Sequence, residues 1–175
     1  MKKITLLLML SALFVMSCKS DKKEEKDTEP TATEETVETK TENTATTNEN
    51  ADAVTLEIEG DDQMKFNKSE FKVKAGQKVT LVLKHVGEMD KSVMGHNWVL
   101  LKPGTDIPAF AEKAIAAKDN DYIPADTDAI VVHTKLLGGG EETSITFDAP
   151  AAGTYDFICS FPGHYSMMNG KFIVE

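Results

Sequence analysis

Between Val54 and Val174 apolar residues fall at every second position, in short runs closed by turn-forming residues. A period of two puts alternate side chains on opposite faces of an extended chain, so these runs read as half-buried β-strands. Val54, Leu56 and Ile58 precede Gly60-Asp61-Asp62, and Phe71 and Val73 precede Ala75-Gly76. Val79, Leu81 and Leu83 precede Gly87, and Trp98-Val99-Leu100-Leu101 ends at Lys102-Pro103-Gly104. Ile130–Val132 leads to Gly138-Gly139-Gly140, Ile145 and Phe147 lead to Pro150, and Tyr155, Phe157 and Cys159 share the face of one strand. Phe172-Ile173-Val174 makes the eighth segment. Eight short strands without a strand–helix–strand rhythm predict an all-β, two-sheet Greek-key sandwich or barrel. One helix interrupts them, over 107–118, with Ile107, Phe110, Ala114 and Ile115 on one face, Thr105 or Asp106 as cap and Pro108 in the first turn.

The chain ahead of this domain has a different composition. Lys2 and Lys3 precede the apolar run Ile4–Met16, too short to span a bilayer, and then come Ser17 and Cys18. That order resembles the bacterial lipoprotein signal, so residues 1–18 are expected to direct export and Cys18 to carry the lipid anchor. Several acyl chains meet the requirement for stable attachment, which places the protein in the cell envelope, at the periplasm or outer membrane. Residues 19–53 hold eleven acidic residues, five lysines and a single large aliphatic, Val37. They are expected to form a disordered acidic tether with a reach on the order of 30–35 Å. The remaining 122 residues, 54–175, carry a net charge of −6 and no arginine, which excludes a basic nucleic-acid-binding face.

With Cys18 assigned to the anchor, Cys159 is the one cysteine of the domain. An unpaired thiol in an exported protein calls for a reactive or metal-binding role. It opens the segment Cys159-Ser160-Phe161-Pro162-Gly163-His164-Tyr165-Ser166-Met167-Met168, where Cys, His and Met are spaced as C-x4-H-x3-M. A thiolate, an imidazole and a thioether together select copper over zinc or calcium. His96, in Met94-Gly95-His96-Asn97-Trp98, would add a second imidazole from a distant strand. Two His and one Cys with a weak axial Met suit one-electron transfer at copper.

The segments GHNWVL and CSFPGHYSMM resemble the azurin family of blue-copper proteins, as do IEGDDQMKFN and HTKLLGGGEETSITFD. The likeness runs through 54–175. It implies an eight-stranded barrel with one flap helix, and one type 1 copper held equatorially by His96, Cys159 and His164. Met168 would be the weak axial ligand, with Met167 the competing candidate, and the Gly95 carbonyl would approach from the opposite side. The backbone N–H groups of Asn97 and Phe161 would hydrogen-bond the Cys159 sulfur, and the Asn97 side chain would tie the two ligand loops through Ser160. Trp98 would be barrel core, and His85 and His133 would not be ligands. The family's disulfide near the N-terminus of the domain is missing, because no cysteine lies between Ser20 and Ile158.

A single-electron carrier follows, not an enzyme. His164 would present its ring edge inside an apolar docking rim of Met89, Met94, Phe161, Pro162 and Met167, with Met64 nearby. Expected partners are redox proteins such as c-type cytochromes, terminal reductases or peroxidases, met by a monomeric domain. A periplasmic copper-binding or delivery protein is the alternative. A copper enzyme would need a second metal site, which the scattered His85 and His133 poorly supply.

Overall fold

The computed structural model describes residues 52–175. The expected export signal, the Cys18 anchor and the expected tether as far as Ala51 lie outside the described residues. Eight strands form where the alternation places them: β1 (Ala53–Gly60), β2 (Glu70–Val73), β3 (Lys78–His85), β4 (Val99–Leu101), β5 (Ile130–His133), β6 (Glu142–Asp148), β7 (Gly153–Ile158) and β8 (Asn169–Val174). They pair as two sheets, β1-β3-β6 and β2-β8-β7-β4-β5. The β1–β3 and β2–β8 pairs are parallel and the other pairs antiparallel. The fold is the mostly-β, two-sheet sandwich expected from sequence, with β1 starting one residue before Val54.

The pleat explains the core. Along β3, Val79, Leu81 and Leu83 are buried while Thr80, Val82 and Lys84 lean outward. Opposite them, the Trp98 ring packs at 5.6 Å from Phe157 and 6.1 Å from Phe172. Trp98 is fully buried and its Nε1 has no hydrogen-bond partner among the described residues, so the indole sits desolvated in the apolar core. The Trp98 backbone N–H donates to Thr134 Oγ1 at 2.9 Å, which holds the residue just outside β4. β4 has three consecutive buried residues because both its faces are covered. Leu100 faces the aromatic core, while Val99 and Leu101 pack with Phe110, Ile123 and Ile158 under the helical crossover.

The helical segments depart from expectation in three ways. A four-residue helix α1 (Lys91–Met94) precedes the main helix α2 (Ile107–Ile115), so the single helix becomes two. Asp106 caps α2 by accepting from the Ala109 N–H, and the helix stops at Ile115, short of Lys118. Beyond it the chain tightens into i→i−3 bonds (Ala116 N–H to Lys113 O, Ala117 N–H to Ala114 O) and a 3-10 turn at Lys118–Asn120. The buried face is Phe110, Ala111 and Ala114 with Ile107 at its edge. Ile115 lies 80° around the helix from Ile107 at 100° per residue and is 56% exposed, a correction to its assignment to the core face.

Candidate metal centre

The β7–β8 hairpin carries the Cys–His–Met segment at its mouth. Cys159 immediately follows β7 and its N–H donates to Met168 O at 2.9 Å, so the first and last residues of the segment face each other. Between them the chain closes on itself. His164 N–H donates to Phe161 O, and the N–H groups of Met167 and Met168 both donate to His164 O. Gly163, with φ of 82°, takes the left-handed position of the Pro162-Gly163 turn that a side chain would strain. From the segment ahead of β4, the neighbour of β7 in the same sheet, His96 joins by a two-way backbone bridge with Leu137, at 3.0 and 2.8 Å.

These contacts bring the donor atoms of His96, Cys159 and His164 within 4.8 Å of one another, all buried. Cys159 Sγ lies 3.7 Å from His164 Nδ1 and 3.8 Å from Gly95 O. Met168 is fully buried, and its Cε sits against the same glycine, Gly60, as the His96 ring. A Cβ at Gly60 would meet His96 Cδ2 at 2.8 Å and Met168 Cε at 3.2 Å, so the missing side chain makes room for both groups.

Whether copper fits is decided by the histidine tautomer. His96 Nε2 is 2.8 Å from Asp61 O, and a carbonyl can only accept, so Nε2 carries the proton and Nδ1 is bare. That Nδ1 is buried without a partner among the described residues, a cost of about 1–3 kcal/mol that a metal ion would relieve. A bare imidazole nitrogen, a thiol sulfur and a second imidazole converge on one buried point, with a thioether packed close by. The residues fit the ion their chemistry selects.

Burial pushes the Cys159 thiol up to about 11, against the opposing pull of the Asn97 and Phe161 N–H groups aimed at the sulfur. His164 is lowered from its ordinary value of 6.5 to about 4, first by burial and then by the neighbouring His96 and His85. His96 is lowered too, by burial above all. Both imidazoles are therefore neutral at pH 7. A depressed histidine stabilises the fold above its unfolded pKa, and the unfolded chain takes the proton first on acidification. The metal-free domain should lose about 3 kcal/mol between pH 6.5 and pH 4 through His164 alone, at 1.36 kcal/mol per unit. Urea unfolding of His164→Gln across that range should show a flatter profile.

Around the donors lies an apolar shell of Ala114, Tyr122, Leu136, Phe161 and the partly buried Met64 and Phe66. The Asn97 side chain spans the two loops, donating to Ser160 Oγ at 2.8 Å and accepting from the Ser160 N–H at 2.8 Å. Phe161 is 8% exposed and lies 4.6 Å from the His164 ring, so it lines the site and is not a rim residue as expected. His164 is also covered, at 3% exposure, a correction to the accessible ring edge. Met89 and Met167 are exposed, Met64, Met94 and Pro162 are half-buried, and Val93, which the sequence reading did not include, is 62% exposed.

Sequence reasoning missed four other contributors. Gly60 and the Asp61 carbonyl belong to what reads only as a turn after β1. His85, fully buried, stacks on His96 at 4.2 Å with its Nε2 2.7 Å from Met94 O and its Nδ1 accepting from Gly87 N–H. Tyr122 packs edge-on against Phe161 at 5.0 Å. Among these only His85 had a signal, a histidine inside an alternating strand; His133 is exposed.

The comparisons with known proteins agree with the geometry. A family model described as copper binding proteins, plastocyanin/azurin family, matches residues 52–175. An azurin of Bordetella pertussis is 47% identical over 121 residues, 66% of this chain and 80% of that protein. Outer membrane protein H.8 of Neisseria gonorrhoeae is 44% identical over 117 residues, 65% of this chain and 63% of that protein. A dithionite-reduced auracyanin of Roseiflexus castenholzii aligns with a TM-score of 0.63 at 40% identity, covering 69% of this chain and 96% of that one.

Proposed function

This chain belongs to the plastocyanin/azurin family of copper-binding proteins, and on that premise we propose that it carries single electrons on one type 1 copper between redox proteins of the cell envelope. The observation that carries the reading is the bare, partnerless Nδ1 of His96 facing a buried thiol and a second imidazole. Copper held by these residues would supply one-electron chemistry between Cu(I) and Cu(II).

His96 Nδ1, Cys159 Sγ and His164 Nδ1 would hold it, with the Met168 thioether and the Gly95 carbonyl as further, weaker donors. The Met168 backbone bond to Cys159 and the geometry of the x3 spacing leave Met167 outside, 53% exposed. The chain's own contribution is to hold these donors still. The Asp61 carbonyl fixes the His96 ring, and the Asn97–Ser160 pair fixes the two loops against each other. A rigid site needs little rearrangement when the charge changes, and the apolar shell keeps water out. These features favour a carrier over an enzyme, since His96, Cys159 and His164 are all buried behind the apolar shell.

The partners follow from the surface around the His164 loop. Met89 and Val93, ahead of His96, and Met167, in the ligand loop, are exposed apolar side chains on an acidic domain, and such a surface would suit brief docking with c-type cytochromes, terminal reductases or peroxidases that present a neutral contact face with basic surroundings. Attachment through Cys18 is part of the same proposal, and kinship with a protein named for the outer membrane supports the envelope location. Met167→Lys should leave the visible spectrum unchanged yet slow electron self-exchange about tenfold at low ionic strength, because two like charges would meet at the docking edge. Self-exchange is read from NMR line broadening in mixtures of oxidised and reduced protein. An unchanged rate would move electron docking elsewhere, and a copper delivery role would regain weight if the metal also passed readily to chelators.

A further inference from the structure

Asp121 and Tyr122 both adopt the left-handed region, at φ of 53° and 60°, although neither is glycine. Two such residues in succession are strained, Tyr more than Asp, and the strain is retained only where surroundings enforce it. Here the enforcement is visible. The 3-10 turn before them fixes the entry, with Tyr122 N–H donating to Ala117 O and the Asn120 side chain donating to Ile123 O at 2.7 Å. The twisted backbone then aims two consecutive carbonyls inward. Asp121 O accepts from Asn97 Nδ2 at 2.9 Å, and Tyr122 O accepts from Ser160 Oγ at 2.9 Å. The Tyr122 ring completes the contact, edge-on to Phe161 and 7% exposed.

All three recipients adjoin the sulfur. Asn97 and Phe161 supply the N–H groups directed at Cys159, and Ser160 lies between Cys159 and Phe161 in the chain. We propose that Tyr122 is a positioning residue for the metal-binding thiolate, its strained turn bracing Asn97, Ser160 and Phe161 so that two amide N–H groups stay aimed at the Cys159 sulfur. The proposal deepens the electron-carrier reading, because N–H donors withdraw charge from a thiolate, weaken its donation to Cu(II) and so favour the reduced ion. It assigns the end of the helical crossover a role in tuning the centre.

The test uses the purified protein with Tyr122→Val, whose β-branched side chain opposes a positive φ, and Tyr122→Phe, which keeps the ring. In the metal-free protein, hydrogen exchange at the Asn97 and Phe161 amides should run roughly tenfold faster in Tyr122→Val, while amides of the β3 and β7 strands keep their protection. After copper loading the same variant should show a lowered reduction potential and a shifted visible band, and Tyr122→Phe should match the wild type in every readout. If Tyr122→Val does not fold, Ser160→Ala severs the same brace and should give the same local exchange and the same fall in potential. Wild-type amide exchange and an unchanged potential in a folded Tyr122→Val or Ser160→Ala protein would overturn the proposal. The metal-free exchange result stands independently of copper, so failure of the carrier reading and failure of the brace are distinguishable.

Discussion

Alanine at Gly95 should lower the stability of the metal-free domain by about 3 kcal/mol, shift its melting temperature down by roughly 10 °C and impair copper binding. The φ and ψ of Gly95, −69° and 140°, suit any residue, so the expected damage is steric rather than conformational. An added Cβ would stand 2.6 Å from Lys91 O, 2.9 Å from a Leu136 methyl and 2.9 Å from the Phe161 ring. The first obstacle is backbone and cannot rotate away. Relief requires moving α1 or the Gly95–His96 segment, and the Leu137 bridge ties His96 to the opposite loop. Any shift that clears the clash also turns His96 and moves the Gly95 carbonyl, 3.8 Å from the sulfur. Calorimetric melts with and without copper would check both parts. A variant as stable as the parent, with unaltered copper affinity, would contradict the close packing.

Cys159→Ser should remove the intense visible absorption of the copper-loaded protein and weaken copper binding by several orders of magnitude. A hydroxyl cannot replace the thiolate as a soft donor. The same substitution should remove a proton from the binding reaction. At pH 7 both imidazoles are neutral, because their pKa values are lowered, whereas the thiol is held protonated by a pKa pushed up to about 11. Copper binding to the parent therefore releases one proton, from Cys159, and binding to Cys159→Ser releases none. Calorimetric titration in buffers of differing ionisation enthalpy reads that difference directly. Release of no proton by the parent would mean that the sulfur is not a ligand.

How far each feature could be read from sequence depends on its range. The strands were legible because alternation records burial at every residue, and even the two-faced β4 showed itself as the unbroken run Trp98–Leu101. The Cys159–Met168 segment was legible because three donor types stand within ten residues on one turn. His96 could be added because few histidines compete, and the family likeness supplied Gly95 and the Asn97–Ser160 link. What escaped is long-range backbone chemistry. The Asp61 carbonyl that fixes the His96 tautomer is 35 positions away, and an acceptor common to every residue leaves no mark in a sequence. Gly60 looked like a turn residue, and its actual service, empty space beside His96 and Met168, appears only once three segments meet. Tyr122 carried no signal at all, since an aromatic residue gives no hint of a left-handed backbone. The misplacement of Phe161 and Ile115 has a simpler cause. Apolar character predicts burial or a docking surface equally well, and only the packing of α2 and the ligand loop decides between them.

The visible absorption and EPR spectra of the purified protein loaded with one equivalent of Cu(II) test the central claim most directly. A trigonal site of two imidazoles and one thiolate, held as His96, Cys159 and His164 are held here, predicts an intense blue thiolate-to-copper band and a narrow parallel hyperfine splitting. A pale protein with a wide, tetragonal hyperfine pattern would show copper bound without the thiolate and would contradict the account.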